Sequence, residues 1–308
     1  MARNDNSMNI SKYYWFVIAS GAISGLIVFG GQVLAGLGFS LYQISTLPYL
    51  AGIIILTGYI LVKKIFPEKK LIPMLILYGF IETGIILCQF AAPILGASIA
   101  VTVLLLYIQP LWTTIISALL LKEKINRNNI IACGLVVAGV LFLINPFELR
   151  NTTLAGFIVA LLGGIFLAGW VTAGSHISKG GNRPIITMYY GNLIALVLLA
   201  ISFPLAKLFT GNLSLVGYSL EKSLIAWIAI ITFGIVTYLV NHYCYLKGTR
   251  KVPTVSAGII MLVEPVVGAI LAAVFLHQPI TIGIIIGGAL ILSANYLVIK
   301  GGTDVSTN

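Results

Sequence analysis

The sequence predicts an all-α integral membrane protein: ten transmembrane helices, arranged as two inverted five-helix repeats around a central cavity. Three observations lead there. The 308 residues are 59% hydrophobic and 8% charged, against about 45 to 50% and about 25% in a soluble domain, so the chain cannot cover a water-facing surface. Its apolar residues fall into continuous runs of about 20, the length that crosses a hydrocarbon core of about 30 Å. Its basic residues are unevenly shared between alternate loops, as membrane topology requires and solubility does not.

The first five spans read as 13–36, 41–62, 71–91, 95–120 and 128–144, and the second five as 152–176, 185–209, 223–246, 252–276 and 280–299. Each run is continuous, which excludes a barrel of alternating strands, and only helices or closed barrels satisfy every backbone group in lipid. The segment before the first span, Met1 to Ser11, is short and polar. No small-residue cleavage site follows it, so the first run is expected to be a retained span and not a signal peptide.

Placing the N-terminus in the cytoplasm puts Arg3, Lys12, Lys63, Lys64, Lys69, Lys70, Lys122, Lys124, Arg127, Lys179, Arg183, Lys247, Arg250, Lys251 and Lys300 on that side. Of the 18 basic residues only Arg150, Lys207 and Lys222 fall on the other. An odd number of spans would scramble this bias, so both termini are expected in the cytoplasm of a cell whose inner membrane holds the protein. The net charge of +10 therefore reads as topology; no basic groove or interleaved aromatic stretch suggests nucleic acid. Cys88, Cys133 and Cys244 lie inside apolar runs without metal-ligand spacing, so no metal, disulfide or cofactor is expected.

Shifting the sequence on itself by 155 positions aligns 79–144 with 234–299 without a gap. Gly79 meets Gly234, Pro110 meets Pro265, Ile115 meets Ile270, Ala118 meets Ala273, Leu121 meets Leu276 and Ile125 meets Ile280. The repeats are thus expected at 1–149 and 150–308. Five spans is an odd number, so the second half must enter the membrane from the opposite side. The charges agree, because the basic turn Lys122-Glu123-Lys124 becomes His277-Gln278-Pro279. Inverted repeats of this kind characterise alternating-access carriers, since two packings of similar halves lie close in energy.

The segments Tyr107-Ile108-Gln109-Pro110 through Leu121-Lys122-Glu123-Lys124-Ile125, and Leu262-Val263-Glu264-Pro265 through Ile280, carry a resemblance to a known family. Each is followed by a Gly-containing apolar helix, Gly134 to Gly139 and Gly287-Gly288, and Gly21 and Gly25 match Gly163 and Gly164 loosely. Through these features nearly the whole chain resembles the EamA-like ten-helix branch of the drug/metabolite transporter superfamily. The resemblance implies a carrier with a central cavity lined from both halves. Its members carry amino acids, nucleosides, cofactors and drugs, so it implies no single substrate. Gln278-Pro279 departs from the acidic-basic pair common at that turn.

An ionisable side chain at mid-membrane costs about 2.5 to 3.5 kcal/mol on insertion scales, so it faces a cavity or a partner. Glu82 lies near the middle of the third span, and Tyr78, Glu82 and Gln89 share a helical face. Tyr238, Asn241, His242 and Tyr245 form a polar stripe on the eighth span, read either as a cavity wall or as helix-to-helix hydrogen bonding. Thr102, Gln109, Trp112 and Thr113 share a face of the fourth span, with Trp170 and Gln32 at comparable places on the sixth and first. Glu264, directly before Pro265, reads as structural or coupling, with Pro110 and Pro265 as helix breakers. Glu82 has no acidic mate in the repeat, since Thr237 stands there, and it reads as a cation or proton site. With His242 near, proton coupling and an uncoupled carrier both fit.

The expected function is transport of a small organic metabolite, an amino acid or other zwitterionic or cationic solute, in either direction, export included. Acidic Glu82, several aromatics and no Lys or Arg at mid-span favour a positive charge over a phosphate ester. A lipid-linked carrier or flippase is the alternative. A membrane enzyme fits less well, because Asp5 and Asp304 are the only Asp residues and no HExxH or phosphate loop occurs. Gly21-xxx-Gly25 and Gly283-xxx-Gly287 permit close helix contact inside a monomer or across a homodimer.

Overall fold

The computed structural model describes residues 2–143, 152–210, 216–277 and 280–305. Among these the chain is almost wholly helical and has no strand. In order it forms α1 (Ala2–Gly36), α2 (Leu41–Lys63), α3 (Ile72–Ile94), α4 (Ile99–Tyr107), α5 (Gln109–Leu120) and α6 (Arg127–Leu143). There follow α7 (Leu154–Lys179), α8 (Pro184–Thr210), α9 (Leu224–Gly234), a π-helical segment Ile235–Val240, α10 (Asn241–Gly248), α11 (Thr254–Met261), α12 (Val263–Leu276) and α13 (Ile282–Val305). By length and composition, nine stretches among the described residues can cross a membrane, and Arg127–Leu143 is a tenth, shorter apolar helix. Every expected span is matched by one of these.

The starts of the helices are written in side chains. Ser40 accepts from the Gln43 amide at 3.1 Å and its own amide donates to Gln43 Oε1 at 3.2 Å, a capping box that opens α2. Ser98, Thr153 and Ser223 cap α4, α7 and α9 in the same way, each satisfying one of the donors a helix start leaves free. The polar N-terminal residues extend α1 back to Ala2, earlier than the apolar run at Lys12. Expectation and structure differ there because hydropathy marks the membrane boundary and not the helix end.

Two spans are broken at corresponding places. The fourth divides at Ile108 (φ −75°, ψ 4°) and the ninth at Leu262 (φ −72°, ψ 8°), just ahead of Pro110 and Pro265. Proline lacks the N–H for the i−4 bond and its ring crowds that carbonyl, so the break falls within the preceding turn. After these spans Lys122 and His277, also 155 positions apart, both adopt φ 53°. Gln278 and Pro279 lie outside the described residues, as does Arg150.

Packing pairs the halves. α3 lies on α7 as α10 lies on α1, α5 on α7 as α12 on α1, and α6 pairs with α13 as α2 does with α8. Small residues permit these approaches. A Cβ on Gly164 would stand 2.2 Å from the Leu105 carbonyl oxygen, and one on Gly25 2.8 Å from Val267 side-chain atoms, so Gly21 and Gly25 serve contact with α12 inside the chain. The principal apolar core spans both halves and surrounds Tyr78, Trp170 and Tyr245. Cys133 and Cys244 are buried, Cys88 is half-buried, and all are free thiols.

Candidate functional site

At the middle of the bundle the buried face of α3 presents Tyr78 and Glu82 to α2, α7, α8 and the eighth span. Glu82 is 4% exposed. Its Oε1 accepts from the Tyr49 hydroxyl at 2.7 Å and lies 3.6 Å from His242 Nε2, while its Oε2 is buried without a hydrogen-bond partner. Gly191 of α8 closes against Tyr78: a Cβ there would stand 2.7 Å from the Tyr78 ring and 4.0 Å from Glu82 Oε2. The close approach of α8 to Tyr78 thus depends on the absence of a side chain at Gly191.

Aromatic rings enclose the carboxyl. Trp170 stacks on Tyr78 at 5.7 Å between centroids and on Tyr245 at 4.5 Å, and lies 5.3 Å from His242. Tyr238 sits 4.1 Å from Tyr49 and 5.8 Å from His242. Tyr245 is anchored by its hydroxyl, which donates to the Val171 carbonyl at 2.5 Å. The π-helical segment Ile235–Val240 leads into this cluster, where Gly234 closes on the backbone of Pro48 one residue before Tyr49. Such extra-residue turns inside helices recur at functional sites because they shift the register of the next turns.

The remaining candidates are distributed. Asn241 does not enter the cluster: its Nδ2 donates to Ser24 at 2.9 Å and its Oδ1 accepts from Ser20, tying α10 to α1. Of the polar stripe, Asn241 and the Tyr245 hydroxyl make helix-to-helix hydrogen bonds, while His242 stands beside Glu82 and Tyr238 beside Tyr49 and His242. Gln89 is exposed, two turns along α3 from Glu82, so the shared face holds while the shared environment does not. Gln32 is likewise exposed on α1. Gln109 is buried, bonds Thr113 and lies under Gly258, and Trp112 Nε1 is a buried donor without a partner. Glu264 forms a separate polar point at the helix breaks, its Oε1 accepting from the Tyr107 hydroxyl at 3.0 Å. Among the described residues, neither Glu82 nor Glu264 pairs with Lys or Arg.

At the end of the bundle that carries the basic loops, a second network joins the halves. Glu123, between α5 and α6, pairs with Lys179 at the end of α7. Its carboxylate also accepts from the Thr254 amide at 3.1 Å and hydroxyl at 2.6 Å, at the start of α11. Lys179 donates to Thr254 Oγ1 at 3.0 Å, and Ser175 bonds it at 2.8 Å. Beside it Arg250 donates to the Asn182 carbonyl at 2.6 Å.

Sequence reasoning missed Tyr49, Tyr107 and this network. Their partners stand 33, 157 and up to 131 positions away, so only packing reveals them. The signal available was a phenol inside an apolar run, whose hydroxyl must find a partner once buried.

A multi-pass bundle with an unmatched carboxyl at its centre and a polar bridge at one end is the anatomy of a membrane transporter. Similarity to known proteins agrees: the chain belongs to the EamA-like transporter family, whose profile matches residues 11–145 and 154–300. An uncharacterized transporter of Clostridium kluyveri is 24% identical over 293 residues, 90% of each chain. Another, of Archaeoglobus fulgidus, is 22% identical over 228 residues, 74% of this chain and 75% of its own. A solved structure described only as the crystal structure of a protein superposes with a TM-score of 0.71 at 18% identity, over 92% of this chain and 97% of that one, which speaks for the fold alone.

Proposed function

We propose that the protein carries a small organic solute with a positively charged or zwitterionic amine, an amino acid or a compound of similar charge, across the cytoplasmic membrane by alternating access. The observation that carries this reading is Glu82: one oxygen bonded to Tyr49 and 3.6 Å from His242, the other free, with no Lys or Arg paired to it among the described residues. Tyr49, Tyr78, Trp170 and Tyr238 stand around it, and an aromatic face attracts a cation by about 0.5 to 2 kcal/mol. An ammonium would supply the missing charge and hydrogen bonds; a phosphate ester would add repulsion.

Support for alternating access comes from symmetry and closure. The matched breaks at Ile108 and Leu262, the matched φ at Lys122 and His277, and the exchanged helix pairings fit two inverted halves at 1–149 and 150–308. The Glu123–Lys179–Thr254 network fits a closed gate on the basic face, with the termini in the cytoplasm. Opening it would expose the Glu82 cluster to that side. Thermal-shift screening of the purified protein against amino acids, polyamines, quaternary amines, nucleosides and sugar phosphates tests the substrate class. Stabilisation by amines that is lost in Glu82→Gln is expected; stabilisation only by polyanions would overturn the assignment.

A further inference from the structure

Away from Glu82, the end of the bundle with the basic loops holds two adjoining cavities. The first, about 450 Å³, is lined by Lys63, Lys64, Phe66, Glu68, Asn182 and Arg183. The second, about 530 Å³, shares Glu68 and Asn182 and is lined also by Lys70, Pro73, Met74, Leu77, His176 and Ile177. Together they form a cationic cup opening onto an apolar groove.

The charge in the cup is unmatched. Its one acid, Glu68, pairs with Lys70 at 2.8 Å, and Lys63, Lys64 and Arg183 have no ion-pair partner among the described residues. Helix polarity accounts for part of this. Lys63 and Lys64 close the C-terminal end of α2, where a cation is favoured. Arg183 immediately precedes the N-terminus of α8, where a cation is disfavoured and an anion favoured. Topology alone asks only that cations lie on this face, not that they converge on one hollow. The groove adds the second half of the recognition, because exposed apolar side chains stand in both cavities, Phe66 (61% exposed) in the cup and Leu77 (45% exposed) in the groove.

We propose that these cavities bind an anionic phospholipid of the adjacent leaflet, its phosphate between Lys63, Lys64 and Arg183 and an acyl chain along Met74 and Leu77. Free phosphate would leave the groove unused, and a zwitterionic lipid would bring its own cation into the cup. Basic pockets between transmembrane helices recognise anionic headgroups by this combination of charge and apolar contact. The lipid site is independent of the transport reading, since its cations Lys63, Lys64 and Arg183 lie outside the Glu82 cluster.

Native mass spectrometry of the full chain, released from micelles containing phosphatidylglycerol or phosphatidylcholine, tests it. Wild type is expected to retain phosphatidylglycerol, and Lys63→Ala/Lys64→Ala/Arg183→Ala to lose about a hundredfold of that retention, the three cations together at about 1 kcal/mol each. Lys12→Ala/Lys124→Ala/Lys251→Ala, which removes the same charge from the same end of the bundle outside both cavities, is expected to retain it. Equal loss in both triple variants would reduce the effect to general surface charge and overturn the site. So would equal retention of phosphatidylcholine, or complete displacement of the lipid by inorganic phosphate. Should the first triple variant fold poorly, Arg183→Ala alone reads the same comparison against Lys251→Ala.

Discussion

Glu82 and Asn241 show why two buried polar residues of neighbouring helices have different jobs. Asn241 has its hydrogen bonds met by Ser20 and Ser24, whereas Glu82 keeps an oxygen free. Asn241→Ala is therefore expected to lower the melting temperature, since stranding buried donors costs about 1 to 3 kcal/mol. Glu82→Gln is expected to leave the melting temperature unchanged or raised, because the amide oxygen can still accept from Tyr49 while the cost of burying a carboxylate is removed. It should weaken amine binding by at least about tenfold, or about 1.4 kcal/mol; calorimetry with and without the amine reads both. At this scale the sequence exposed Tyr78, Glu82, Trp170, His242 and Tyr245, because helical spacing and intramembrane polarity mark them. It could not expose Tyr49, whose bond to Glu82 joins different helices, nor show that Gln89 is exposed on the face it shares with Glu82.

Helices here meet through glycines at named contacts. Gly164→Ala would drive a methyl into the Leu105 carbonyl, 2.2 Å away, and is expected to cost about 1 to 3 kcal/mol as overpacking. Gly31→Ala, with nothing within 4 Å, is expected to be neutral or to stabilise α1 by up to about 1 kcal/mol through helix propensity. Thermal unfolding in detergent separates them, and equal melting temperatures would contradict the packing of α7 on α4. Spans were legible because hydropathy reports lipid contact directly. The breaks at Ile108 and Leu262 followed from Pro110 and Pro265. The π-helical Ile235–Val240 was not legible, because no proline or glycine pair inside the segment announces it; it begins beside the contact of Gly234 with the Pro48 backbone, which only packing reveals.

For the whole molecule the proposal is a carrier whose halves are held together at the basic end by Glu123, Lys179 and Thr254. The sequence read Glu123 and Lys179 only as loop charges, since their meeting depends on how the halves close. Glu123→Gln removes the ion pair and is expected to raise hydrogen exchange over 250–258 and 175–183, while Lys300→Ala should not. The most direct test places a reporter beside Glu82: Ile85→Cys, with Cys88, Cys133 and Cys244 replaced by Ser, labelled by a charged thiol reagent in right-side-out and inside-out vesicles. Labelling from both sides is expected, with Glu123→Gln shifting reactivity toward reagent on the basic face. Labelling from neither side, or from a single side unaffected by Glu123→Gln, would contradict the carrier.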